Sequence, residues 1–283
     1  MKNYLLVVSI AFLGLNSLSA QDDLLNELEQ EVKEEPYQQP AFKAMKIGNL
    51  QSTKVASKGD LYMYVSHRFG SLKDGLTTFF GLDNANTKIQ LVYGIYDGIQ
   101  LGVARESLRK TYTTHVKAKL KSQSKNFPVN IAAYGIANIR TDLRKEQYPL
   151  LKFGDRMSYA AQLLISRRFT NRFSFEIAPT FVRQNLVLES FQKHNQIALG
   201  AGGRMKVSKR MSVNVDYVYN FNRHESSIYD NPLTFGLDIE TGGHVFQLLF
   251  SNAQSTNEPG FISNAEGKWF EDVFFGFNIV RVF

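Results

Sequence analysis

The 283-residue chain has no cysteine. That excludes disulfides, thiolate metal ligands and a cysteine nucleophile. It also has no segment of 18 consecutive apolar residues, which excludes a transmembrane helix. Tryptophan occurs once, against 22 Phe and 13 Tyr. The hydrophobic fraction of 43% is near the globular norm, so there is no bulk apolar excess. Porin-type strands read this way, because apolar and polar positions alternate and cancel in the average. A chain without an apolar helix can cross a bilayer only as a closed barrel, since every backbone amide must find its partner internally.

What is present begins with residues 1–20. Lys2 precedes an apolar run from Tyr4 to Leu15, broken by Ser9 and Gly14. Asn16-Ser17-Leu18-Ser19-Ala20 then ends in small residues. This is the pattern of a secretory signal peptide cleaved after Ser19 or Ala20. The run is too short for a membrane anchor, which needs about 20 apolar residues. Residues 21–58 read as an acidic periplasmic arm and linker. Asp22, Asp23, Glu27, Glu29, Glu31, Glu34 and Glu35 stand there against Lys33, a net of −6. Leu24, Leu25, Leu28 and Val32 have helical spacing, and Pro36 and Pro40 break it. An amphipathic helix and disorder both fit. The chain as a whole carries +7, so the remainder is basic. An export signal argues against nucleic acid as the reason. Anionic lipopolysaccharide, or a passing anion, is the partner that charge suits.

From residue 59 onward the period is two. Twelve segments alternate, which predicts an all-β fold: a closed antiparallel transmembrane barrel of about 12 strands spanning 59–283. The fourth is clear, with Tyr112, Thr114, Val116, Ala118 and Leu120 opposite Thr113, His115, Lys117, Lys119 and Lys121. The fifth, near 129–139, has no clear face. The seventh contains Pro179, which suggests a bulge. Short turns fall at Tyr96-Asp97-Gly98, Thr170-Asn171-Arg172, Ser208-Lys209-Arg210 and Thr241-Gly242-Gly243. Longer segments alternate with them at 69–87, 140–154, 185–194, 222–231 and 252–270; only 107–110 is short where a long one is expected. Short periplasmic turns and long outer loops are the pattern of the outer membrane of a Gram-negative bacterium. The final strand places Phe275, Phe277, Ile279 and the terminal Phe283 on one face. That set resembles the signal read by the barrel-assembly machinery.

Three short motifs, His67-Arg68-Phe69-Gly70, Phe79-Phe80-Gly81-Leu82-Asp83 and Tyr93-Gly94-Ile95-Tyr96-Asp97-Gly98, carry a further likeness. With Gly276-Phe277-Asn278-Ile279, the chain over roughly 40–283 resembles an uncharacterised family of outer-membrane β-barrels of Bacteroidota, a domain of unknown function. The resemblance implies the same fold and location. It brings no catalytic or ligand residues.

If apolar positions face lipid, the opposite set faces a lumen of both signs. His115, Lys117, Lys119, Lys121, Arg204 and Lys206 form its basic wall, and Glu176, Asp216, Asp238 and Glu240 its acidic one. Such walls can orient a polar solute, or can pair across a narrow barrel and close it. Phe79 and Phe80 lie in the first long loop, which either folds inward as a constriction or packs on the rim. Three functions follow: a passive channel for small polar or anionic solutes, a non-conducting structural subunit bound to an envelope protein, or a lipid-modifying barrel enzyme. His224-Glu225-Ser226-Ser227 is the enzyme's best constellation, a poor one, since neighbours in one loop rarely form a triad. No histidine pair has metal-ligand spacing on a shared strand face, and no cofactor is implied. The glycines at 200–203 sit in a strand with no following helix, which argues against a phosphate loop.

Overall fold

The computed structural model describes residues 40–187, 189–241, 244–269 and 271–283. The segment read as a signal peptide, the acidic stretch 21–35 and the Gly242-Gly243 turn lie outside the described residues. Twelve strands follow one another: β1 (Leu61–Ser71), β2 (Ala85–Tyr96), β3 (Ile99–Glu106), β4 (Thr111–Lys121), β5 (Asn130–Arg140), β6 (Met157–Arg168), β7 (Phe173–Gln184), β8 (Asn195–Lys206), β9 (Met211–Asn220), β10 (Leu233–Thr241), β11 (His244–Ser251) and β12 (Phe274–Val282). Each pairs antiparallel with its sequence neighbours, and β1 pairs with β12, so the sheet closes on itself. Closure removes the free edges that an open sheet would expose.

Alternation decides which side chain meets which medium. In β9, Val213, Val215, Tyr217 and Tyr219 are exposed on the outside, while Ser212, Asn214, Asp216 and Asn220 are buried inside. A one-residue slip would put Asp216 into lipid, so the buried charge holds the register. Outward aromatics cluster near the strand ends. The ring centroid of Phe275 lies 5.7 Å from Phe69 and 5.4 Å from Phe250. Phe275, Phe277 and Ile279 share this outer face, and the backbone N–H of Phe283 bonds the carbonyl of Leu61 at 2.9 Å.

The bulge expected at Pro179 does not form. Gln162 opposes Thr180 and Ile165 opposes Ile177 in one register, and the ladder to β6 merely lapses between them. Pro179 keeps its place opposite Leu199 on β8. A missing N–H interrupts the bonding on one side of a strand only.

At the end that carries the start of β1 and the end of β12 the connections are short at 97–98, 169–172 and 207–210, with a longer one at 122–129. At the other end they run over 72–84, 141–156, 185–194, 221–232 and 252–273, and 107–110 alone is short there. Two of the irregular segments are not outside the barrel at all. Residues 40–58, read above as a linker, enter the lumen from the short-turn end. Arg168 donates to the carbonyl of Pro40 at that mouth, at 3.2 Å. The segment rises to a turn closed by Ile47 N–H to Leu50 O at 2.9 Å, and returns to Gly59 beside Gly94. From the long-loop end the last connection folds inward and carries one short helix, α1 (Glu258–Ser263), capped by the Asn257 side chain. The barrel therefore has its core inside, and 41–56 is part of it.

Candidate functional site

Among the described residues the lumen gathers a cluster of buried charged side chains, and both inserted segments meet there. One half of it is apolar. Leu50 from the inner segment and Phe261 and Ile262 from α1 are fully buried against Leu164, Ala178, Val182, Ala198 and Val218 of β6 to β9. Small wall residues make the approach possible. A Cβ on Gly200 would lie 2.9 Å from a Leu50 methyl, and one on Gly202 would lie 2.7 Å from Ile47 Cδ1. Gly200 and Gly202 thus seat a peptide turn.

The other half is polar, and it holds the inner segment largely by its main chain. Lys117 of β4 donates to the carbonyls of Met45, Ser52 and Lys54 at 3.2, 2.9 and 3.2 Å. Asp216 of β9 accepts the N–H of Asn49 at 3.0 Å, with those of Gly48 and Leu50 also directed at it. Glu176 of β7 accepts from Thr53 N–H at 2.9 Å, and Gln100 of β3 from Ala56 N–H at 2.7 Å. Gln247 of β11 donates to the carbonyls of Lys46 and Ile47 at 3.2 and 3.1 Å. Arg68 of β1 reaches the Asn49 side chain at 2.9 Å.

The outer segment is held by a different wall group. Glu106 of β3 accepts from Thr256 N–H at 2.8 Å and from the Asn257 amide at 2.6 Å. Arg223, in the 221–232 loop, donates to the carbonyl of Ile262 at 2.7 Å. Its burial lowers its pKa from the ordinary arginine value. The two segments then touch each other. Lys46 donates to Thr256 O at 3.0 Å, and Gln51 donates to Glu258 at 2.8 Å. Burial, reinforced by the like charge of Lys88, pushes the Lys46 ammonium down to about 7. At the mouth, Lys43 and Arg204 share Glu240, and burial lowers Lys54. Two recesses remain at that mouth. One, of about 490 Å³, reaches Lys119 and Gln123, and the other, of about 310 Å³, lies between Lys43, Tyr64 and Glu240.

Of the side chains read as wall residues, His115, Lys117, Arg204, Glu176, Asp216 and Asp238 are buried inward. Lys119, Lys206 and Glu240 stand at the short-turn mouth on the same series. Lys121 does not belong with them. A register shift after Lys119 pairs Lys121 with Ile131, an outward position, and its ammonium lies 5.6 Å from the Phe127 ring centroid. Lys117, Glu176 and Asp216 bond the inserted segment, not one another across the lumen. Glu106, Gln100 and Gln247 carry no motif in the sequence, and Arg68 stands out there only within the 67–70 motif. One signal was available: the middle of β5 has no polar face. Ala132, Tyr134 and Ile136 point inward and are buried, which fits a filled interior and not a watery one.

The first long loop is not the constriction. Phe79 and Phe80 are exposed on the rim, their ring centroids 6.5 Å apart. In the 224–227 stretch, His224 Nδ1 accepts from Ser226 N–H, and the Ser227 hydroxyl bonds Glu189. Neither serine hydroxyl is bonded to the imidazole, so no triad geometry arises. Among the described residues no group of three His, Asp or Glu side chains could hold a metal ion.

A family model described as a membrane bound beta barrel domain, DUF5777, matches residues 42–283. No curated protein matches the chain. Among solved structures, the KdgM porin superposes with a TM-score of 0.49 at 10% identity, covering 78% of this chain and 99% of its own. The NanC porin gives 0.47 at 10%, with 78% and 98% covered. The outer membrane protein Omp33 of Acinetobacter baumannii gives 0.42 at 11%, with 80% and 99% covered. Likenesses this distant carry no solute or activity to this chain.

Proposed function

The chain belongs to the membrane-bound β-barrel family whose model spans 42–283, and from that premise we propose that it is a passive outer-membrane channel for small polar or anionic solutes, closed at rest by the inner segment. The observation that carries this reading is the chemistry of the contact. Charged wall groups at Lys117, Glu176 and Asp216 are spent on main-chain atoms of a segment that is continuous with the periplasmic end of the chain. A barrel meant only to be solid could fill its lumen with apolar side chains, as its β6 to β9 half does. Retaining ionisable groups inside a wall is costly unless something polar is there to meet them. When the segment withdraws, water and solute take its place on groups already oriented. The reading involves no catalysis.

Planar-bilayer recording of the purified full-length protein tests it. The expected record is a closed baseline with voltage-driven openings that prefer anions, through Lys117 and Lys119. The preference should reverse in the Lys117→Glu/Lys119→Glu variant. Absence of openings at any voltage, in a protein that spectroscopy shows to be folded, counts against the channel. It favours the second reading, a permanently closed subunit of an envelope complex, which the full burial of Phe261 and Ile262 inside the barrel supports.

A further inference from the structure

We propose that the lumen wall is a binding site for short oligopeptides, with the segment 45–56 seated in it as an internal occupant. This names the solute class of the site above and rests on the channel reading.

The argument is in the atoms that the wall reads. Five side chains from five strands, Gln100, Lys117, Glu176, Asp216 and Gln247, bond amide N–H and carbonyl groups of the segment; of its side chains, the wall reads Asn49 through Arg68, Thr234 and Ser251, and Thr53 through Ser166. Lys117 and Gln247 together take five carbonyls, and the carboxylates and Gln100 take N–H groups. Donors and acceptors are therefore both provided, at positions set by a rigid sheet. A sugar offers hydroxyls, which have no fixed alternation of donor and acceptor. A small organic anion would satisfy Lys117 but would offer no donor to Glu176 and Asp216. Only a peptide main chain offers both groups at a repeat that five fixed partners can meet. Beside this polar strip, Gly200, Gly202, Ala178 and Ala198 leave a smooth floor for modest side chains, now taken by Ile47 and Leu50. A wall that reads mostly backbone tolerates variation in sequence, with a polar preference where Arg68, Thr234 and Ser251 meet Asn49.

The test uses the full chain with a protease site placed between Ser57 and Lys58, both exposed. The protein is folded in detergent and then cut, so that the inner segment, labelled with a fluorophore at its N-terminal end, is held without a covalent link. An excess of an unrelated hexapeptide of Ala, Ser and Leu should raise release of the label by about tenfold, the factor that 1.4 kcal/mol of competing affinity supplies. Its fully N-methylated analogue, which has no amide N–H, and a glucose oligomer of equal mass should leave release unchanged. Lys117→Met should weaken the response to the hexapeptide. Equal release by the glucose oligomer, or no response to the hexapeptide, overturns the proposal. Ion conductance of the cut protein after the label has washed out is read separately. Conductance without a peptide response overturns the peptide site and leaves the channel; a peptide response without conductance does the reverse.

Discussion

Gln51 donates its side-chain amide to Glu258 at 2.8 Å, and the two residues come from opposite mouths of the barrel. Tyr134 on β5 donates to the other oxygen of the same carboxylate at 3.2 Å. The inner segment and α1 are thereby joined at the middle of the lumen through one buried acid. Removing one partner of a buried charge costs about 1–3 kcal/mol, because the other is left without its bond. Gln51→Leu should raise the open probability in single-channel records by roughly tenfold, the effect of 1.4 kcal/mol. Glu258→Leu should do likewise. The double variant should fall short of the product of the two, since both substitutions remove one contact. Strict multiplicativity would mean that the pair does not couple the segments.

Gly200 sets how closely the inner turn approaches β8. A side chain there would press on Leu50, whose methyl would lie 2.9 Å from the new Cβ. Overpacking of a filled core costs about 1–3 kcal/mol. Gly200→Val should therefore loosen the segment and lengthen openings, and Leu50→Ala in the same protein should partly restore closure by making room. Trypsin sensitivity at Lys54 and Lys58 checks the same displacement without electrodes: cleavage should be faster in Gly200→Val and slower again in the double variant.

Lys46 gives closure a pH dependence. In the seated segment its pKa is pushed down to about 7 by burial and by Lys88 and Arg68, against which Glu258 and Glu106 act; free in water it returns to the ordinary lysine value of 10.5. Between those values the displaced form binds more protons than the seated one. Seating is thus favoured as pH rises through this window, and displacement as pH falls toward 7, with a slope of at most about 1.4 kcal/mol per pH unit for one proton. Below the lower value the dependence flattens. Open probability measured from pH 10 to pH 6 should rise on acidification and level off, and Lys46→Met should remove the slope. An unchanged slope in that variant would assign it to another group.

Phe283 offers a separation of assembly from stability. It is 61% exposed, and its backbone, not its ring, ties it to Leu61. Phe283→Ala should change the unfolding temperature of the purified barrel little. It should lower the amount of folded barrel in membranes, read as the heat-modifiable band on gels, if the terminal aromatic is read by the assembly machinery. An unaltered yield would remove Phe283 from that signal.

The wall of the barrel was legible in the sequence, and the filling was not. Strict alternation in segments such as 111–121 and 211–220 reports two media on two sides of a strand, and a register that a buried Asp216 must respect. Loop lengths and the terminal strand added the closure. The interior escaped because 41–56 carries neither period. Its residues are selected by partners far along the chain, such as Glu176 for Thr53, 123 positions away, and Thr256 for Lys46, 210 away, and a local pattern cannot record that. The same holds for 252–263, where Asn257 is placed by Glu106. Lys121 was misplaced for a local reason: a single register shift beyond Lys119 reverses parity for everything after it. The ambiguity of β5 was the one trace of the filled lumen, an inward face that is apolar because it touches protein.

The channel reading requires that the inner segment is what closes the barrel. Steady-state conductance of the folded protein, cut between Ser57 and Lys58 and washed until mass spectrometry shows the segment gone, measures this. The expected result is a silent intact protein and a stable open current after the segment has left. A barrel that remains silent with the segment removed, while still folded, would contradict it.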